Sequence, residues 1–130
     1  MQILVDAPVW LDYFSGVSSP ETDRLDRLIG REALVVADVT MTEVLCGLPN
    51  EAHRRQAEEA LRRFWQVASG GMDVAVRSAL CFHVLRSEGI EADPLRCQVV
   101  ACCLHHGLAL LTRPDIAEPF VRHLGVGEAG

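Results

Sequence analysis

Residues 33–45 read ALVVADVTMTEVL. Ala33 to Ala37 form a continuous apolar, β-prone run, which suits a strand covered on both faces in a parallel sheet. Asp38 closes the run, and the chain turns at once into a helical pattern in which Thr40 or Thr42 is placed to cap and Glu43, Val44 and Leu45 follow. A buried strand feeding straight into a helix is the unit of an α/β fold. It sets Glu43 near a helix amino terminus, on the side where the strand ends.

The same grammar extends in both directions. Ile3, Leu4 and Val5 are a second apolar run, closed by Asp6. Pro8 opens a helix carrying Trp10, Leu11, Tyr13 and Phe14, and Ser15-Gly16 stops it. Ser18 and Glu21 have capping-box spacing ahead of an apolar face of Leu25, Leu28 and Ile29 that ends at Gly30. Downstream, Pro49-Asn50 breaks the chain before a helix over residues 51–64, and residues 66–68 suit a short third strand. Residues 72–88 are the longest helical pattern, with Val76, Leu80, His83 and Val84 on one stripe and Gly89 as the stop. Asp93-Pro94 caps an apolar helix through Val99, Val100, Cys103 and Leu104 to Gly107, and residues 108–111 make a fourth strand. Residues 112–115 read as a loop, and residues 120–126 as a last element of open type. Strands alternating with helices under the right-handed crossover rule predict a three-layer α/β fold around a parallel sheet.

The whole chain limits what this fold can do. Its 130 residues suit one domain over 1–130, and 49% hydrophobic with 23% charged residues is an ordinary globular balance. The amino terminus lacks a signal-peptide pattern and no apolar run approaches the roughly 18 residues of a membrane span, so a cytoplasmic protein without membrane contact is expected. Five cysteines, Cys46, Cys81, Cys97, Cys102 and Cys103, are odd in number and irregular in spacing, which suits buried free thiols. A zinc site from Cys97, Cys102, Cys103 and His106 is the competing reading, but these offsets do not share a helix face. The net charge of −6 gives no overall attraction to nucleic acid, so any such contact must be local. All twelve basic residues are arginine. The pairs Arg54-Arg55 and Arg62-Arg63 are either phosphate forks or one solvated helix face.

Functional groups of open parallel sheets gather beyond the carboxyl ends of the strands, which makes Asp6, Glu43, Asp93 and Asp115 candidates by position. Converging carboxylates can hold magnesium or manganese, which activates water against a phosphodiester. Each acid also has a plain role: Asp93 can cap a helix, Glu43 can complement a helix dipole, and Asp115 can sit in a turn.

The order ILVD (3–6), WLDYF (10–14), VVADVTMTEVL (35–45), a long helical middle, then HHG (105–107) before LALLTR (108–113) resembles the PIN domain. Within that family it is similar to the VapC toxins of bacterial toxin–antitoxin modules. The resemblance implies a parallel sheet of four or five strands flanked by helices, a magnesium- or manganese-binding acid cluster, and endonucleolytic cleavage of RNA, including tRNA. It also implies a homodimer, for which the aromatic first helix offers a surface, and a VapB-like antitoxin that masks the site.

Carried over by residue, Asp6 and Glu43 match the first two family acids, as catalytic and metal-binding groups. The third position holds Arg96, and the fourth holds Pro114 with Asp115 next to it. Ala7 and Pro8 replace the small hydroxyl residues that follow the first acid. An arginine at a cation site repels the cation and can close the site by pairing with Asp6 or Glu43. Asp93 and Asp115 are the candidate substitutes for a working metal site. Two functions follow: an endoribonuclease whose cleavage is impaired or lost, or a silent module that binds RNA or a protein partner.

Overall fold

The computed structural model describes residues 2–129. Four parallel strands, β1 (Gln2–Val5), β2 (Ala33–Ala37), β3 (Trp65–Val67) and β4 (Ala109–Leu111), lie in the order β3-β2-β1-β4. Seven helices connect and cover them: α1 (Ala7–Phe14), α2 (Pro20–Leu28), α3 (Asp38–Cys46), α4 (Glu51–Leu61), α5 (Met72–Ser87), α6 (Pro94–His106) and α7 (Pro114–Leu124). In place of a full fifth strand, Glu128 makes an isolated parallel bridge to Leu110 at the β4 edge.

The continuous apolar runs are continuous because both faces of the sheet are covered. Ile3, Val5, Leu34 and Val36 point into a core with Trp10, Leu25, Val44, Ala57 and Leu61, from α1 to α4. Their neighbours Leu4, Val35, Ala37 and Leu110 point the other way, into a core with Leu85, Val99, Cys103 and Phe120, from α5 to α7. The alternation has the strand period of two, with no polar face left over. None of the helices is long and apolar enough to cross a membrane among the described residues.

Several local expectations shift. The α2 capping box is formed by Ser19 and Thr22, one place beyond the Ser18 and Glu21 spacing, with Thr22 N–H donating to Ser19 Oγ (3.1 Å) and Ser19 N–H to Thr22 Oγ1 (2.9 Å). Neither Thr40 nor Thr42 caps α3. That helix begins at Asp38, so Glu43 is its sixth residue and stands in mid-helix. The expected loop at residues 112–115 ends at Pro114, which opens α7 and carries Asp115 into the first helical turn.

Two apolar surfaces exchange roles with what the pattern suggested. On α5 the buried residues are Val74, Cys81 and Leu85, whereas Val76, Leu80, His83 and Val84 face solvent. The helix is apolar on both sides, and periodicity does not say which side meets α6. On the first helix the aromatic residues pack largely inward, with Tyr13 and Phe14 half-buried. Trp10 is buried and its ring contacts Tyr13, Phe14 and Phe64 at centroid distances of 6.0, 5.7 and 5.3 Å. Trp10→Ala removes the largest fully buried side chain and is expected to lower the unfolding free energy by roughly 3–5 kcal/mol, read from the urea midpoint at unchanged slope.

Candidate functional site

Asp6 is the last residue before α1, and β1 carries it to the carboxyl edge of the sheet. Its backbone N–H donates to Leu111 O (2.9 Å), which ties the ends of β1 and β4 together. Its carboxylate caps α1 through Oδ1, which accepts from Ala7 N–H (3.0 Å), while Oδ2 accepts from the Thr112 hydroxyl (3.0 Å). The side chain is 1% exposed. Glu43 projects from α3 toward the same place and is 22% exposed.

Arg96, the third residue of α6, lies between them. Its Nη1 donates to Asp6 Oδ1 and its Nη2 to Glu43 Oε1, so one planar fork joins both carboxylates. Its side chain is 11% exposed. A cation in the first turn of a helix opposes the helix dipole, so α6 alone would not favour it there. Asp6 and Glu43 reverse that balance, and the Asp93 carboxylate stands 3.9 Å from Arg96 Nε. Asp93 itself caps α6, accepting from Leu95 N–H (3.1 Å).

One guanidinium serves two carboxylates, and the ionisation of Arg96 and Glu43 reflects it. Burial pulls the Arg96 pKa down, but Asp6 and Glu43 outweigh it and the group is held charged above its ordinary value. Glu43 also moves up: burial is the largest cause, and Asp6 and Asp93 add to it, so attraction to Arg96 does not compensate. The cation is therefore secure, while the second carboxylate carries the uncompensated charge.

The structure brings Asp6, Glu43 and Arg96 together, with Asp93 at their margin, and leaves Asp115 out of contact. Asp115 is exposed and its carboxylate lies 3.8 Å from Arg113. It lines a cleft of about 190 Å³ that Asp93 and Arg96 also line, but it makes no contact with Asp6 or Glu43. A divalent cation does not fit this donor set. The guanidinium occupies the place between the two carboxylates, and no group of three or more His, Cys, Asp or Glu side chains converges among the described residues.

The zinc reading fails for the same reason. Cys97, Cys102 and Cys103 are buried, whereas His106 is exposed and hydrogen-bonds Ala68 O (3.2 Å). Burial pushes the Cys97 and Cys102 thiols up to about 11 and Cys103 higher still, which makes them inert at neutral pH. Cys46 departs from the expectation of burial and is exposed. Of the arginine pairs, Arg55 and Arg62 bond Glu51 and Glu58 along α4, and Arg54 bonds Leu48 O and Pro49 O, as a solvated helix face does.

Two residues of this edge escaped the sequence reading as site members. Thr112 follows β4, and its bond to Asp6 depends on β1 and β4 being neighbours. Asp38 ends β2, and its Oδ1 accepts from Val39 N–H (2.8 Å), Ser69 N–H (2.9 Å) and the Ser69 hydroxyl. Burial raises its pKa, but these bonds outweigh burial and the net shift is downward. Asp38 is thus a brace for the loop after β3. The signal was its place at a strand end, shared with Asp6.

The PIN domain family model matches residues 3–115. No curated protein matches the chain. Among solved structures, a chain of VapBC2 from Rickettsia felis bound to a DNA fragment from their promoter has a TM-score of 0.79 at 10% identity, covering 99% of this chain and 98% of that one. A chain of a toxin-antitoxin complex from Klebsiella pneumoniae has a TM-score of 0.73 at 21% identity, covering 95% and 94%. A chain of DNA-bound VapBC from Salmonella typhimurium has a TM-score of 0.71 at 12% identity, covering 99% and 97%. At these identities the likeness is one of fold.

Two stability measurements test the electrostatics. Arg96→Ala strands two carboxylates and is expected to cost about 3–5 kcal/mol, read by chemical denaturation at neutral pH. For Glu43 the sign is opposite. Its folded pKa lies above the ordinary 4.5, so its contribution is full below that value and is lost as pH rises through the folded pKa. Glu43→Gln, which keeps an oxygen for Arg96 without the charge, should therefore gain stability relative to wild type as pH rises from 4 to 7. A relative loss over that range would contradict the assignment.

Proposed function

The chain belongs to the PIN domain family, and on that premise we propose that it is a VapC-like protein of a toxin–antitoxin module whose magnesium- or manganese-dependent RNA cleavage is lost or strongly impaired. The observation that carries this reading is the fork of Arg96 on Asp6 and Glu43. These two acids occupy the catalytic and metal-binding positions that the family resemblance assigns, and the arginine supplies the positive charge that a divalent ion would otherwise supply. In this reading Asp6 and Glu43 are inherited catalytic residues, and Arg96 is the residue that closes their site.

A protein closed in this way acts by binding. Its partners in this proposal are a VapB-like antitoxin and RNA, with tRNA as one candidate. The fold shared with chains of toxin–antitoxin complexes supports the antitoxin. The alternative, an active nuclease using Asp93 and Asp115 as substitute ligands, is disfavoured by the exposure of both and by the pairing of Asp115 with Arg113.

The test is cleavage of RNA by wild type, Arg96→Asp and Arg96→Asp with Pro114→Asp, with and without magnesium, and with Asp6→Ala as the blank for contaminating nuclease. Wild type should show little or no magnesium-dependent cleavage and no magnesium-dependent rise in melting temperature. Arg96→Asp should melt lower without magnesium and recover with it, because only a metal-binding native state gains stability by mass action. Robust magnesium-dependent cleavage by wild type that vanishes in Asp6→Ala would overturn the proposal.

A further inference from the structure

Beside the Arg96 fork, the same edge of the sheet carries a second concave site. The carboxyl ends of β2 and β3, the first turn of α3 and the turn between α4 and β3 line a cleft of about 400 Å³. Sites for small molecules span roughly 300–1,000 Å³, and open parallel sheets bind ligands in crevices beyond the carboxyl ends of their strands. Val36, Met41 and Val67 give the cleft apolar walls, and Asp38, Gln66 and Arg62 give it three kinds of polar group. Because β2 is the neighbour of β1, the cleft stands one strand away from Asp6.

These polar groups are only partly used within the chain. Asp38 takes Val39 N–H, Ser69 N–H and the Ser69 hydroxyl on Oδ1, and none of these bonds falls on Oδ2. The bonds hold the carboxylate in place, and a carboxylate oxygen free of them can still accept two N–H groups. Gln66 gives one amide hydrogen to Arg62 O (3.2 Å), which leaves the second for another acceptor. Arg62 is held to Glu58 through Nε (2.8 Å), which leaves its two Nη groups for a further anion. The cleft thus offers a fixed negative acceptor, an amide donor and a guanidinium around apolar walls.

We propose that this cleft binds a guanine nucleotide unit, with the base against Asp38 and Gln66 and the phosphate on Arg62. Guanine is the base whose pairing edge sets two N–H donors side by side, N1 and N2, next to an acceptor, O6. Asp38 Oδ2 takes the two donors and the Gln66 amide gives to O6, while the ring lies between the apolar walls. Adenine, cytosine and uracil each turn a ring nitrogen or carbonyl lone pair toward the carboxylate, and such a mismatch is how a polar site rejects the wrong ligand. Single-stranded RNA is read in this way, on the pairing edges of unstacked bases. The unit has two sources, a free nucleotide or an RNA strand. For the second the inference rests on the RNA-binding reading above, and a strand seated here runs past the closed site at Arg96.

The test is binding, by calorimetry without magnesium, of GMP, AMP, CMP, UMP and guanosine, and of the RNA pentanucleotides UUGUU and UUUUU. Wild type should bind GMP about tenfold or more tightly than the other three nucleotides, the scale of one or two hydrogen bonds to a charged group. Asp38→Asn keeps an acceptor for Ser69 and removes the charge, and should erase the preference. Ala68→Trp, at an exposed position on the cleft wall, should fill the cleft and abolish binding. Arg62→Ala should weaken GMP and leave guanosine unchanged, which a merely structural role for Arg62 would not do. Arg27→Glu, exposed on α2 away from the cleft, should match wild type. Tighter binding of UUGUU than of GMP assigns the unit to RNA, and equal or weaker binding assigns it to a free nucleotide. A preference for GMP that survives both Asp38→Asn and Ala68→Trp would overturn the assignment. Equal binding of the two pentanucleotides with no preference for GMP would overturn this site while sparing the RNA reading, and a wild type that binds none of these ligands would overturn both.

Discussion

A guanidinium shared by two carboxylates is the interaction on which the functional edge of this protein depends. Parallel topology brings the ends of β1 and β4 side by side, and that fixes Asp6 almost without exposure to water. A buried carboxylate of this kind needs directed partners. Asp6 has Ala7 N–H, the Thr112 hydroxyl and Arg96, so neither of its oxygens is left unpaired. Glu43 has Arg96 to answer its charge, yet burial raises its pKa in spite of that partner. Such a group of ions is costly to assemble and still costlier to dismantle, because removing one member strands the others in low dielectric.

Much of this was legible in the sequence, for identifiable reasons. Strands buried on both faces leave an unbroken apolar run, so the carboxyl ends could be placed at Asp6 and Asp38 without knowing the fold. Arg96 was legible only through the family resemblance, which expects an acid at that position. What escaped were two contacts that depend on how the chain returns to the strand ends. Thr112 reaches Asp6 only because β4 lies beside β1. Asp38 braces Ser69 only because the chain returns after β3. The buried side of α5 was illegible for a different reason: two apolar faces give periodicity no preference, and the choice belongs to α6.

The start of α3 shows how one residue of cap placement alters a chemical reading. With a cap at Thr40 or Thr42, Glu43 would lie in the first turn and the helix dipole would hold it ionised. With α3 beginning at Asp38, Glu43 stands in mid-helix, where the dipole does little and burial governs. Its position over the strand ends is the same in both cases. The influence on its pKa is not, since burial rather than a dipole is the largest cause of its shift here.

A cation built into the chain also changes what the fold depends on. A site closed by a soluble ion gains stability with the concentration of that ion, as a ligand bound only by the native state must. Arg96 is present at fixed concentration and arrives with α6, so on this reading the edge is assembled at any level of magnesium. The fork also has a direction that an ion lacks, since Nη1 and Nη2 each point at one carboxylate and set the distance between β1 and α3. Lysine, a single point charge, could not make both bonds in one plane. On the proposed reading, Arg96 is a brace of the same sign in the place a divalent ion would hold, joined to both carboxylates by directed bonds.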